Sequence, residues 1–350
     1  MTDFALKIGT SSYEGWKSLQ LTRSIEQLAH SFNVSYTDQW AEKGKKIPIR
    51  AGDAHKLAYN GRTVTAGWVD EDDLDYDANS RTLGFAGRSK TADLVDCAAL
   101  YKGGKWRNKT LLDIAKDICE PFDISVKANV DVGDPFGGPD HFSLTLGETA
   151  FEAINRGARA RGVLLMTDSD GNLVIDRAGE TKLKAVIERG KNILRGNRKR
   201  SLQDRFSSYT LFGQTSADDN LFGTQCNVSR TASDADVTRY RPIVIQGDGE
   251  PNGSALQTRA NWERNVRAGR AVRVSYIVQG WEYADGKLWE PNNIVRVIDP
   301  DAELDDELLI TETVHTRDEG GTKTSITLTA KEAFEVEALP TKKKKKGLFS

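Results

Sequence analysis

One phrase occurs twice in the chain: Ile49-Arg50-Ala51-Gly52 followed by Gly67-Trp68, and Val266-Arg267-Ala268-Gly269 followed by Gly280-Trp281. Such a repeat favours an architecture that uses one unit twice. Between the landmarks both copies have strand character, with Leu57, Tyr59 and Val64 in the first and Val272, Val274, Tyr276 and Val278 alternating in the second. The first copy is longer, and Asn60-Gly61 supplies a two-residue hairpin turn for the extra length, because Asn and Gly tolerate the positive φ such turns require. The repeat therefore predicts a duplicated strand pair in two related β-domains far apart in sequence.

The region between the copies has a different texture. Ser24-Ile25-Glu26-Gln27, ahead of Leu28, Ala29 and Phe32, has a capping-box pattern and a helical stripe, with Val34 and Tyr36 continuing as a strand. The same unit recurs at Thr110, with Leu111, Ile114, Ala115 and Ile118 as the stripe, Pro121 as the stop, and Ile124 and Val126 as a strand. A third copy starts at Thr149-x-x-Glu152, ends at Gly162 and leads into a hairpin with Asp170-Gly171 at its turn. Residues 92–181 thus read as a small α+β domain.

Asp70, Glu71, Asp72, Asp73, Asp75 and Asp77 read as a solvated acidic loop before a strand near Leu83 and Phe85. Residues 182–205 carry nine Lys or Arg against Glu188 and Asp204, with strands around Ala185, Val186 and Ile187 and around Ile193 and Leu194. A solvated or subunit-facing strand surface is expected there, since the run lacks the interleaved aromatics of single-strand binders. Residues 207–240 are polar and turn-rich and read as a linker. The last hairpin pairs 308–315 with 322–329 across Asp318-Glu319-Gly320-Gly321.

At 350 residues the chain has room for two or three domains, each with its own core. A net charge of -2 gives no global attraction to nucleic acid or membrane, so any polyanion contact is local. The start lacks a signal-peptide pattern and no apolar run reaches the roughly 18 residues of a spanning helix, which predicts cytoplasmic synthesis and no stable membrane insertion. Cys97, Cys119 and Cys226 are widely spaced and predict reduced, mostly buried thiols rather than a disulfide framework or a zinc site.

Catalytic and metal signatures are sparse. His30, His55, His141 and His315 sit in unrelated contexts, without an H-E-x-x-H or G-x-S-x-G motif. Asp168-x-Asp170-x-Asn172 resembles half a calcium loop, but Leu173 and Gly179 stand where Gly and Glu belong, so a plain turn is expected. No cofactor and no catalytic or metal residue is assigned.

Three stretches, Gly87-Arg88-Ser89-Lys90-Thr91-Ala92-Asp93-Leu94-Val95-Asp96, Leu146-Gly147-Glu148-Thr149 and Asp170-Gly171-Asn172-Leu173-Val174-Ile175, resemble the Mu-type phage baseplate hub family. Gly280-Trp281, Asp285-Gly286-Lys287-Leu288-Trp289, Pro291-Asn292 and the closing Leu308-Leu309-Ile310 hairpin follow in the family's order. The resemblance runs from about residue 4 to 335 and extends to the N-terminal hub part of type VI secretion spike proteins. It implies a mainly β fold with an α+β insertion, in which two tube-like β-barrel domains flank an inserted small α+β domain. The implied division is 1–91 plus 182–230 for the first barrel, 92–181 for the insertion, 231–339 for the second barrel and 340–350 for a basic flexible tail.

The resemblance further implies a homotrimeric hub of a contractile tail, found in the virion baseplate and assembled in the host bacterial cytoplasm. Two similar barrels in each of three chains give six similar units around an axis. Such a ring adapts a sixfold tail tube protein to a threefold central spike protein, beside baseplate wedge proteins, with a central channel for passage of genomic DNA. The competing classes are a tail-associated cell-wall hydrolase, which would turn over peptidoglycan, and a glycan or nucleic-acid binding module, which would hold ligand as a monomer. Beyond the last barrel strand, Lys342, Lys343, Lys344, Lys345 and Lys346, followed by Leu348 and Phe349, are expected to be disordered in the free protein. They are the candidate contact to a neighbouring baseplate protein, the alternative being a solubilising tail.

Overall fold

The computed structural model describes residues 4–37, 48–77, 81–136, 141–179, 181–214, 227–246, 253–284 and 286–335. The amino-terminal part is a run of seven antiparallel strands: β1 (Phe4–Ile8), β2 (Ser11–Tyr13), β3 (Ser18–Ser24), β4 (Ser31–Thr37), β5 (Ala54–Tyr59), β6 (Arg62–Tyr76) and β7 (Arg81–Ser89). Alternation works as expected in β4, where Phe32, Val34 and Tyr36 point into a core shared with Leu19, Leu21, Leu57 and Phe85. Asn60 and Gly61, both at positive φ, turn β5 into β6.

Two sequence expectations fail in this part. Residues 25–29 are not helical, because Ser24 is recruited by a distant strand. Its hydroxyl donates to Thr311 O, its Oγ accepts from Glu26 N, and Ile25 N donates to Thr311 O at 2.9 Å. Tertiary pairing thus claims the groups that a capping box would use. The acidic segment is not a loop either, since β6 runs through it to Tyr76 and keeps every side chain from Asp70 onward exposed.

Residues 92–177 follow with α1 (Ala92–Asp96), β8 (Lys105–Trp106), α2 (Leu111–Cys119), β9 (Val126–Ala128), β10 (Phe142–Ser143), α3 (Ala150–Arg161), β11 (Leu164–Thr167) and β12 (Leu173–Asp176). Here the local signals hold. Thr110 and Thr149 each cap their helix through a reciprocal box with Asp113 and Glu152, and Gly162 closes α3 at φ 67°. Ile114, Ile118, Ile154 and Ala158 pack on Leu173 and Ile175, while β12 pairs with β11 and, in parallel, with β9. Thr149→Ala, which strips one box of its acceptor, should lower unfolding stability by about 1 kcal/mol in urea titrations.

Among the described residues of 182–230, no strand pairs with the amino-terminal strands as the resemblance implied. β13 (Thr181–Glu188) and β14 (Ile193–Arg200) are strands, but they pair with carboxy-terminal partners described below. The described residues of the stretch read as a linker are largely strand. β15 (Ser208–Gln214), β16 (Asn227–Ser233) and β17 (Pro242–Gln246) make a separate three-stranded sheet, covered by α4 (Gly253–Arg270) through Leu211, Ala232, Leu256 and Ala260. β15 and β16 interleave Ser and Thr with their apolar residues, which is why composition reads as a loop there.

The carboxy-terminal strands are β18 (Val272–Gln279), β19 (Glu282–Ala284), β20 (Lys287–Leu288), β21 (Asn293–Asp299), β22 (Leu304–Asp318) and β23 (Gly321–Thr329). β14 pairs with β18 and β13 with β21, and Ile187 packs with Val274, Tyr276, Val297 and Ile326 in a second core. The long β22 joins everything. Its first part pairs with β21, and beyond a bulge at Ile310/Glu312 it pairs with β3 on one side while keeping β23 on the other. One 13-stranded sheet results, running from β14 to β2 with β21 and β13 as a branch. None of the sheets among the described residues closes on itself, so separate barrels are not what the strand pairing gives.

The repeated phrase is not a structural repeat. Arg50 to Gly52 precede a β5–β6 hairpin with Gly67-Trp68 inside β6, whereas Arg267, Ala268 and Gly269 form the end of α4 and Gly280-Trp281 follows the single strand β18. Each glycine answers a different demand. A Cβ on Gly67 would lie 2.0 Å from Arg88 O, one on Gly269 would lie 2.6 Å from Ala333 N, and Gly280 turns at φ +78° with open space around it.

Candidate assembly site

The two strand-rich parts meet at a buried joint. Trp281 follows β18 in sequence, yet its ring sits in the amino-terminal core, 3.9 Å from Phe4 and 5.3 Å from Tyr59 between centroids. Its Nε1 donates to Thr316 O at 3.0 Å. Beside it His315 stacks on the indole at 4.8 Å and a plane angle of 24°. Arg62, just past the Asn60-Gly61 turn, donates to Gly286 O at 2.7 Å and ties the β5–β6 hairpin to the β19–β20 segment.

A polar chain runs through the same joint. The Thr324 hydroxyl donates to Gly280 O at 2.6 Å, so its oxygen accepts from His315 Nδ1 at 3.0 Å. That tautomer leaves Nε2 as the acceptor for Arg23 Nη2 at 3.1 Å. Arg23 also donates to Trp289 O and to Glu290 Oε1 at 3.0 Å. Burial, followed by the Arg23 charge, holds the His315 pKa well below its ordinary value, so the ring is neutral. Burial lowers Arg23 too, and Glu290 opposes that shift.

Residues 92–177 lock onto the joint through hydroxyls. Thr167 Oγ1 donates to Leu28 O at 2.6 Å and so accepts from Thr91, while Ser89 Oγ accepts from His30 N at 3.0 Å. Asn292 bridges Arg177 O and Gly179 N. Together these contacts fix three segments of the chain as one body. A rigid scaffold of this kind can carry load and present surfaces.

The chemistry considered from the residues finds no centre among the described residues. They contain no group of three or more His, Cys, Asp or Glu able to hold a metal ion. Asp168 builds a turn, its Oδ1 accepting from Asp170 N and Asn172 N. Cys119 is buried, but Cys97 is exposed, contrary to expectation, and Cys226 lies outside the described residues. Lys342, Lys343, Lys344, Lys345, Lys346, Leu348 and Phe349 also lie outside them.

Most of the basic run is paired within the chain. Lys182 meets Glu307, Arg189 meets Asp301 at 2.8 Å, Arg198 and Arg200 share Glu303, and Arg205 grips Asp234 at 2.7 Å. What the run presents outward is an exposed strand, β14, at one end of the large sheet. Sequence reasoning missed the joint itself, because Arg23 and His315 are unremarkable in their local contexts. It also missed that Glu71, Asp73 and Asp75 form a strand face, although their period of two was a readable signal.

A fold built as a rigid, multi-surfaced body has clear relatives among phage tail proteins. Residues 3–89 match the family model described as Mu phage baseplate assembly protein GpP-like, N-terminal; residues 91–177 match baseplate hub protein gp44-like, second domain; residues 253–337 match Mu phage baseplate assembly protein GpP, fourth domain. The baseplate hub protein gp44 of Escherichia phage Mu is 35% identical over 349 residues, covering 96% of this chain and 89% of that protein. The 43 kDa tail protein of prophage MuSo2 from Shewanella oneidensis superposes with a TM-score of 0.85 at 34% identity, over 96% of this chain and 100% of the other. A type VI secretion system component of E. coli, c3393, shares the fold at a TM-score of 0.61 and 12% identity, over 96% and 80% of the two chains. The chain belongs to the Mu phage baseplate hub family. Its role is structural, in the baseplate of a phage tail.

Proposed function

We propose that the chain assembles as a trimeric hub that adapts the sixfold tail tube to the threefold spike and leaves a central channel for DNA. The observation that carries this reading is the pair of hydrophobic cores on one face of a single sheet, one around Leu21, Val34 and Phe85 and the other around Val274, Tyr276 and Ile326. Two such units per chain give six around a threefold axis, and the buried joint holds their mutual angle fixed. The sequence repeat does not support the pairing, but the two cores do. In this reading the segment 92–177 is an outer attachment, β13 and β14 belong to the carboxy-terminal unit, and the chain performs no hydrolysis. Electron microscopy of assembled particles tests it: three copies of the chain between tube and spike are expected, and six copies or one would overturn the adaptor reading.

A further inference from the structure

Two open edges of the large sheet, the end strand β14 and the distal part of β6, carry opposite charge on the same face. On β6, Glu71, Asp73 and Asp75 alternate onto one side, opposite Ala86, Gly84 and Thr82 of β7. All three are exposed, and none forms an ion pair among the described residues. β5 pairs with β6 no further than Trp68, and Val69 is the last β6 residue whose backbone bonds to the segment before β5, so beyond it β6 is an edge among the described residues. On β14, the end strand of the sheet, Arg195 and Lys199 are exposed and likewise unpaired, unlike Arg198 and Arg200 beside them.

The registers put the two rows on one face. Opposite partners lead from Glu71 through Asn33 and Thr316 to Gln279 on β18. Gln279 shares its side of β18 with Ile277 and Arg273, which stand opposite Arg195 and Lys199. The other side of the sheet holds both cores. The rows also match in length, since Glu71 to Asp75 and Arg195 to Lys199 each take five residues of strand, about 13 Å from end to end.

We infer that the acidic row of one copy docks against the basic row of the next, making a head-to-tail interface between copies of this chain. Two different, complementary patches on one molecule define a heterologous contact, which closes into a ring when its rotation divides the circle. A second copy fits better than an unrelated polyanion, because the chain carries both partners in rows of equal length and its net charge is only -2. Open backbone groups along both edge strands add directional hydrogen bonding to the charge match.

The inference rests on the trimeric reading, and sedimentation of the full chain separates the two. Asp73→Lys with Asp75→Lys, or Arg195→Glu with Lys199→Glu, should weaken self-association at least about tenfold, whereas the chain with all four reversals should recover it. Raised salt should weaken the native ring as well. If the native chain forms trimers that neither reversal disturbs, this interface is wrong and the trimer stands. If each reversal disrupts the trimer but the fourfold variant does not recover, charge pairing between the rows is wrong. If the basic row instead retains short duplex DNA and its reversal leaves the trimer intact, a polyanion is its partner and the inference falls. If the native chain never associates, alone or in particles, both readings fall.

Discussion

Shifting the pH from 7 to 5 should destabilise the folded chain by about 4 kcal/mol through the buried neutral His30 and His55, with His315 adding loss in the same direction. Burial pushes His30 down to about 3 and His55 to about 4, and holds His315 well below its ordinary value. In the unfolded chain each titrates near 6.5. The folded pKa is the lower one, so the unfolded state binds more protons as pH falls. Stability is therefore full above about 6.5 and declines below it, until each folded pKa is reached. At pH 5 His30 and His55 each contribute about 2 kcal/mol to this loss, and His315 adds to it in the same direction. Asp96, Asp113 and Glu303, whose pKa values are lowered by hydrogen bonds from Arg88, Thr110 and Arg198, extend the loss below about pH 4. Urea midpoints measured at pH 7, 6 and 5 check this. Replacing His55, which packs on Phe32 at 4.5 Å, with Leu should make the decline shallower, and equal midpoints at pH 7 and 5 in the native chain would refute the account.

The elements legible in the sequence are those whose determinants are local. Thr110 and Thr149 find their box partners three residues on, and Asn60-Gly61 turns on its own backbone preferences. Ser24 carries the same signature as Thr149 but lies beside β22, where Thr311 O takes its hydroxyl. No window of sequence contains that competitor. The β15–β17 sheet was hidden for a related reason: its buried face needs only a few apolar residues under α4, and the outer face carries Thr210, Ser229 and Thr231, as a loop would. Barrel closure was likewise a matter of which strands β22 chooses, and its bulge redirects it to β3. The resemblance found the family, but the interface rows became visible only once the registers placed Glu71 and Arg195 on a common face.

The repeated phrase offers a sharp test of the joint, because its two tryptophans should respond very differently to truncation. Trp281 is 1% exposed and contacts Phe4, Tyr59 and His315, while Trp68 lies on the outer face of β6 at 38% exposure. Trp281→Ala removes a fully buried indole and leaves Thr316 O without its donor, which should cost about 4 kcal/mol. Trp68→Ala should cost about 1 kcal/mol or less, as expected for a partly solvated side chain. The larger loss also has a location. Trp281 is anchored in the carboxy-terminal strands but fills the amino-terminal core, so its removal should let the two parts unfold separately. Calorimetry should then resolve a second transition in Trp281→Ala that is absent from the native chain, and Trp281→Phe, which keeps a ring in the cavity, should restore a single transition at a smaller cost. Similar losses from Trp68→Ala and Trp281→Ala, with one cooperative transition in both, would mean that the two parts are welded by the shared sheet through β22 and β3 rather than by the indole.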